Sequence, residues 1–279
     1  MGSLACAIAS YLDARANQGR WLVRIEDLDP PREQAGADIL ILESLKTHGL
    51  HWDDTVRYQS TRLKAYEHAL GDLESKGLVY RCQCTRKRVA ALEGPYDRLC
   101  RTMLPIENEH CALRFDMSSC VEKGFIDDPL MVNDLFLGQS KHGLTAQTGD
   151  FIVRRKDTLF SYHLAVVTDD IDQGITHVVR GDDLLDSTPP QLALYAALGS
   201  QPPAFGHIPV VKDREGVKLS KQTGAKPLDN SKPIPNLVAA LSHLNITDEK
   251  IRTTDDPEEL LKLALKNFMS STDTQTPKP

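Results

Sequence analysis

Residues 175–199 read ITHVVRGDDLLDSTPPQLALYAALG. Ile175, Val178 and Val179 make a short β-branched run of the kind buried inside a parallel sheet. Gly181 breaks the run, and Asp182 and Asp183 follow. A helix then carries Leu192, Tyr195, Ala196 and Leu198 on its apolar positions and stops at Gly199. Strand followed directly by helix predicts an α/β fold with a parallel sheet. In such sheets ligands collect at the carboxyl ends of strands, beside helix N-termini, and Arg180 stands at that end. A guanidinium there either clamps a ligand carboxylate through two hydrogen bonds or forms a structural ion pair. Position alone favours neither.

The chain has 279 residues, 41% hydrophobic and 26% charged, which fits one large globular domain or two smaller ones. No apolar run approaches the ~20 residues of a membrane span. The first helix is broken by polar residues and has no basic leader, so no signal peptide is expected. Three of the six cysteines crowd together at Cys82, Cys84 and Cys100. That favours a reduced, cytoplasmic setting and a metal site over a disulfide framework. With a net charge of −6, a nucleic-acid partner needs a local basic patch.

Met1-Gly2-Ser3 runs straight into a helix over 4–16, and a strand is expected over 21–25. A βαβ unit needs two strands, so the sequence predicts an absent strand ahead of the helix and a start recorded too late. The strands over 21–25 and 175–179 would then face a gap. Glu26-Asp27-Leu28-Asp29 and two prolines read as a loop at the ligand edge. Helices are expected over 37–48 and 60–76, then strands over 151–155, 162–167 and 209–211. Two weak helices, 234–244 and 257–269, and a disordered polar tail close the chain.

Two clusters carry further chemistry. Cys82-x-Cys84 and Cys100 offer three thiols for tetrahedral Zn²⁺, with Tyr96 or a water as the candidate fourth ligand. The same residues also suit small buried hydrophobes or a redox trio. Around them Arg81, Arg86, Lys87, Arg88, Arg98 and Arg101 form the densest basic patch, either a solvated face or a phosphate contact. Lys218-Leu219-Ser220-Lys221 follows a polar turn. Two lysines around a serine suit a polyphosphate whose charge grows in a transition state, although K-x-S-K is common by chance.

Taken in order, RIEDLDPPRE, the cysteine cluster, GDFIVRR, YHLAVVTDDIDQGITHVVRGDDLLDSTPPQ and VKLSKQ resemble the catalytic core of class I glutamyl-tRNA synthetases over roughly residues 2–225. VKLSK stands in place of that family's KMSKS signature. Gly2-Ser3 looks like the end of an H-x-G-S version of its HIGH signature. The short C-terminal part resembles the family of short paralogues, the glutamyl-queuosine tRNA(Asp) synthetases. In that family glutamate is activated with ATP and Mg²⁺, then moved to queuosine at the wobble position of tRNA(Asp).

The resemblance implies a Rossmann-type class I core with a zinc-bearing insertion and a short helical C-terminal tail. It divides the chain into 1–77 (first half of the core), 78–130 (insertion, touching RNA), 131–225 (second half, with the K-L-S-K loop) and 226–279 (helical remnant and tail). It implies Glu26, Tyr162 and Arg180 for glutamate, with Glu26 on the ammonium, Arg180 on a carboxylate and Tyr162 as a wall. Lys221 would contact ATP phosphate, helped catalytically by Lys218 and Ser220, with Gly2 and Ser3 also on ATP. Cys82, Cys84, Tyr96 and Cys100 would hold one Zn²⁺. The expected partners are tRNA(Asp) carrying queuosine, glutamate and ATP, for a monomer away from membranes. A trimmed glutamyl-tRNA synthetase and a non-catalytic RNA-binding remnant are the rival readings.

Overall fold

The computed structural model describes residues 1–29, 34–103, 111–211 and 228–272. In chain order the elements are α1 (Gly2–Ala16), β1 (Arg24–Ile25), α2 (Ala37–Thr47), β2 (Arg57–Tyr58), α3 (Leu63–Ser75), β3 (Val79–Cys82), α4 (Arg86–Ala90) and α5 (Leu99–Thr102). β4 (Ala112–Phe115), α6 (Met117–Glu122), β5 (Leu130–Asp134), β6 (Gly138–His142), β7 (Phe151–Arg154), α7 (Tyr162–Gln173) and β8 (His177–Gly181) follow. The chain continues through α8 (Thr188–Ala197), β9 (Ala204–Ile208), α9 (Pro233–His243) and α10 (Pro257–Thr272).

Alternation of strand and helix produces a sheet of order β6-β5-β9-β8, in which β5, β9 and β8 run parallel. A parallel pair, β1-β2, stands apart from it. The cysteine-bearing strand β3 joins an antiparallel sheet, β3-β4-β7, whose third strand lies at residues 151–154. One apolar core lies under α3, α7 and α8; the other lies among α1, α9 and α10.

Three expectations are corrected. Residues 162–167 are not a strand but the first half of α7. The Ser161 side chain caps it by accepting from the Leu164 N–H, and Gly174 ends it with φ 62°. Burial on several faces, from Leu164 through Val167, hides the helical period in that segment. The strand expected over 209–211 lies earlier, at Ala204–Ile208. The two C-terminal helices are a working part of the fold. They bury Leu237, Leu241, Leu260 and Leu261 against Leu4, Ile8 and Leu12 of α1. Each such side chain contributes about 1.5–3 kcal/mol by leaving water.

Among the described residues β8 has one strand partner, β9, and β1 has one, β2. Between β1 and β8 runs a cavity of about 650 Å³, lined by Leu22, Arg24 and Glu26 on one side and Ile175, His177 and Val179 on the other. Of the strand expected over 21–25, only Arg24 and Ile25 pair, with Arg57 and Tyr58. No helix among the described residues is long and apolar enough to cross a membrane.

Candidate active site

Arg180 is the next-to-last residue of β8 and pairs directly with His207 on β9. Parallel pairing puts both side chains on one side of the sheet, where α8 begins. Pro189 and Pro190 occupy its first turn, needing no N–H partner, and Thr188 and Gln191 flank them. The result is a buried cradle. Arg180 Nε donates to His207 Nε2 (3.0 Å), Nη1 to Gln191 Oε1 (2.8 Å) and Nη2 to Thr188 Oγ1 (2.8 Å). Arg180 is 7% exposed, and Thr188, Gln191 and His207 are at most 1%.

A guanidinium can only donate, so the partner atoms are fixed as acceptors. His207 Nε2 must therefore lack a proton, and His207 Nδ1–H donates to Asp134 Oδ2 (2.5 Å). Asp134 also accepts from the backbone N–H groups of Phe136, Leu137 and His207. Burial would raise its carboxyl, but His207 and these N–H groups outweigh that and hold it low. Among the described residues no carboxylate lies within ion-pair distance of Arg180. Burial accordingly lowers its affinity for a proton.

Tyr162 and His163 open α7 beside this cradle. Burial and the charge of Glu26 push the Tyr162 hydroxyl up, while Arg180 and Gln191 draw it down. His163 is pushed down to about 4 by burial and by Arg180. Glu26 follows β1, and its side chain is 41% exposed, the rest being covered by its neighbours. That crowding raises its carboxyl, and Arg24, 3.6 Å away, opposes the rise. Tyr162 thus lies near enough to feel both Glu26 and Arg180.

The second cluster is equally close. β3 supplies Cys82 and α5 supplies Cys100; the Sγ atoms of Cys82, Cys84 and Cys100 all lie within 4.8 Å of one another. Cys84 Sγ is 3.5 Å from Cys100 Sγ, and the Tyr96 hydroxyl is 3.6 Å from Cys82 Sγ and 3.3 Å from Cys84 Sγ. Zn–S bonds of about 2.3 Å in a tetrahedron set sulfurs about 3.8 Å apart, so the donor set fits that ion. Arg114 Nε donates to Cys82 Sγ (3.2 Å) and Arg88 Nη1 to Cys84 Sγ (3.4 Å), although burial pushes the Cys84 thiol up. Burial opposes ionisation of Cys100, yet hydrogen bonds led by Tyr96 bring it down to about 7.

Residues 1–234 match the family model for tRNA synthetases class I (E and Q), catalytic domain. The Glutamyl-Q tRNA(Asp) synthetase of Photorhabdus laumondii is 46% identical over 252 residues, covering 88% of this chain and 74% of that protein. That of Shigella flexneri is 43% identical over 268 residues, 96% of this chain and 84% of that one. The chain belongs to the glutamyl-Q tRNA(Asp) synthetase family of class I synthetases. A solved glutamate-tRNA synthetase from Elizabethkingia anophelis superposes with a TM-score of 0.75 at 23% identity, over 94% of this chain and 63% of that one. The synthetase therefore has the class I catalytic fold, and spans less than two thirds of that larger protein.

The other expected site residues of the synthetase divide. Gly2 and Ser3 start α1, and a Cβ on Gly2 would lie 4.0 Å from Val211 Cγ2. Lys218, Ser220 and Lys221 lie outside the described residues. The basic patch is smaller than the sequence suggests. Arg88 pairs with Asp97, Arg98 with Asp116 and Asp150, and Arg101 with Asp116. Arg86 and Lys87 remain exposed. Sequence reading missed Thr188, Gln191, His207 and Asp134. The S-T-P-P-Q helix start signals the first two; nothing local marks His207 or Asp134, since pairing of distant strands makes that contact.

Proposed function

We propose that this chain activates glutamate with ATP and transfers it to queuosine in tRNA(Asp). The observation that carries this reading is Arg180, a buried cation with neutral partners at the carboxyl edge of the sheet, with the Tyr162 phenol near enough to feel both it and Glu26. Glu26 would take the substrate ammonium, Arg180 a carboxylate, and Tyr162 would wall the site between them. The α-carboxylate attacks the α-phosphorus of ATP, the P–O bond to pyrophosphate breaks, and glutamyl adenylate forms. Orientation and charge stabilisation are the main contributions in this step. Gly2, Ser3, Lys218, Ser220 and Lys221 would contact ATP and its phosphates, with Mg²⁺ bound to the nucleotide. A queuosine hydroxyl then attacks the adenylate carbonyl and AMP leaves. We take the working unit to be a monomer in the cytoplasm. The test is incubation with ATP and labelled glutamate, offering tRNA(Asp) with queuosine, tRNA(Asp) without it, and tRNA(Glu). Label is expected on the first alone; label on the 3′ end of tRNA(Glu) overturns the reading.

We also infer that Cys82, Cys84, Tyr96 and Cys100 hold one Zn²⁺, which would tie β3 to α5 without taking part in the chemistry. Support comes from the donor distances and from the guanidinium donors on the thiols. One equivalent should co-purify, and Cys84→Ser should lower it and unfold the insertion locally. Less than about a tenth of an equivalent in protein prepared without chelator would sink the idea.

A further inference from the structure

The Arg180 cradle contains an atom that its internal hydrogen bonds leave unused. Gln191 must turn Oε1 toward Arg180, because the guanidinium accepts nothing. That orientation strands Gln191 Nε2, a buried donor with no hydrogen-bond partner, in a side chain 1% exposed. A buried polar group left in this way is costly. The Tyr162 hydroxyl interacts with both Gln191 and Arg180, so it is the group that the amide and the guanidinium face in common. Arg180 has five N–H groups; three are used inside the cradle and the Tyr162 hydroxyl draws on what the η nitrogens have left.

The carboxylate that reacts with ATP must direct its electron pair at phosphorus. A saturated arginine clamp would dull it, so Arg180 suits the carboxylate that does not react, the one on the substrate side chain. Resting on that reading, we propose that Gln191 is a specificity-determining residue, which holds Arg180 without neutralising it and offers Nε2 as a second donor to the side-chain carboxylate. Neutrality is the essential property. A carboxylate at residue 191 would have the same shape but would consume the positive charge and repel the anionic substrate. Glutamate is thereby selected over glutamine by what the cradle lacks.

The experiment measures binding of L-glutamate, L-glutamine and ATP to the whole chain and to Gln191→Glu, Gln191→Met and Arg180→Ala. Gln191→Glu should weaken glutamate by about a hundredfold, shift the glutamate-to-glutamine ratio toward glutamine by at least about tenfold, and leave ATP unchanged. Its internal ion pair with Arg180 should keep the melting temperature at or above that of the wild type. Gln191→Met, uncharged and lacking the donor, should weaken glutamate by about tenfold and keep the preference. If Gln191→Glu retains the wild-type preference while Arg180→Ala loses glutamate, the role of Gln191 falls and the site reading stands. If the wild type is indifferent to glutamate, or Arg180→Ala binds it normally, both fall.

Discussion

Two arginines at strand ends, Arg24 and Arg180, are both withdrawn from water and are satisfied in opposite ways. Arg24 donates to Asp170 Oδ1 (2.7 Å) and Gln173 Oε1 (3.2 Å), with Glu26 at 3.6 Å. Burial works against its charge, but Asp170 and Glu26 more than offset that and hold its proton tightly. Nearby, Arg57 and Arg62 face Asp169 and Asp172 in the same manner. Arg180 has only neutral acceptors, and burial loosens its hold on the proton. A compensated cation fastens β1 and β2 to α7. An uncompensated one stores attraction for an anion not yet present.

Removing a charge from the compensated region should have the largest effect. Asp169 is fully buried and accepts from Tyr66 Oη (2.6 Å), Gln59 Nε2 (3.1 Å) and Arg62 Nε (3.0 Å). Asp169→Ala strands Tyr66 and Gln59, leaves Arg62 with Asp172 alone, and should cost about 3–5 kcal/mol of stability, read from denaturant unfolding. Arg180→Ala leaves behind only neutral acceptors, so it should cost clearly less. Equal losses for the two variants would break the comparison.

The second effect is on binding. Arg180→Ala should weaken glutamate by about 2–5 kcal/mol, the range for truncating one partner of a buried charge pair, and ATP much less. Binding titrations with each ligand decide this. Equal loss for both would mean that Arg180 supports the fold as Arg24 does.

This distinction was not legible in the sequence. Arg24 and Arg180 both close an apolar strand, and local pattern cannot separate an ion pair from a carboxylate clamp. The deciding partners, Asp170 for one and His207 with Asp134 for the other, arrive from distant segments through strand pairing and helix packing. What the sequence did reveal was local. The β8-to-α8 handover follows from β-branched residues, Gly181 and two prolines, and the cysteine cluster from its spacing. α7 failed because its apolar run is buried on several faces, although Ser161 and Gly174 marked both ends. The C-terminal helices looked weak because their value lies in the apolar face that α1 offers them.

The smallest effect is the most direct measure of the uncompensated charge. His163, beside Arg180, is held down to about 4 by burial and by that cation. In the unfolded chain a histidine takes its proton near 6.5. Between those values the unfolded state binds more protons than the folded one, so stability falls as pH falls. The contribution is complete above about pH 6.5 and is lost progressively toward and below pH 4, by roughly 3 kcal/mol in all. Other groups titrate in this window, so the signal is the difference between wild type and His163→Gln, whose stability curve should be flatter there. Arg180→Met should return the His163 titration part of the way toward 6.5, shrinking the window from its acid end. Removing Arg24 could not do this, because Asp170 and Glu26 already cancel its field. Denaturant unfolding between pH 4 and pH 7 on the three proteins tests the point. If Arg180→Met leaves the His163 contribution unchanged, the Arg180 charge is already neutralised within the fold, and the two arginines differ in partners without differing in kind.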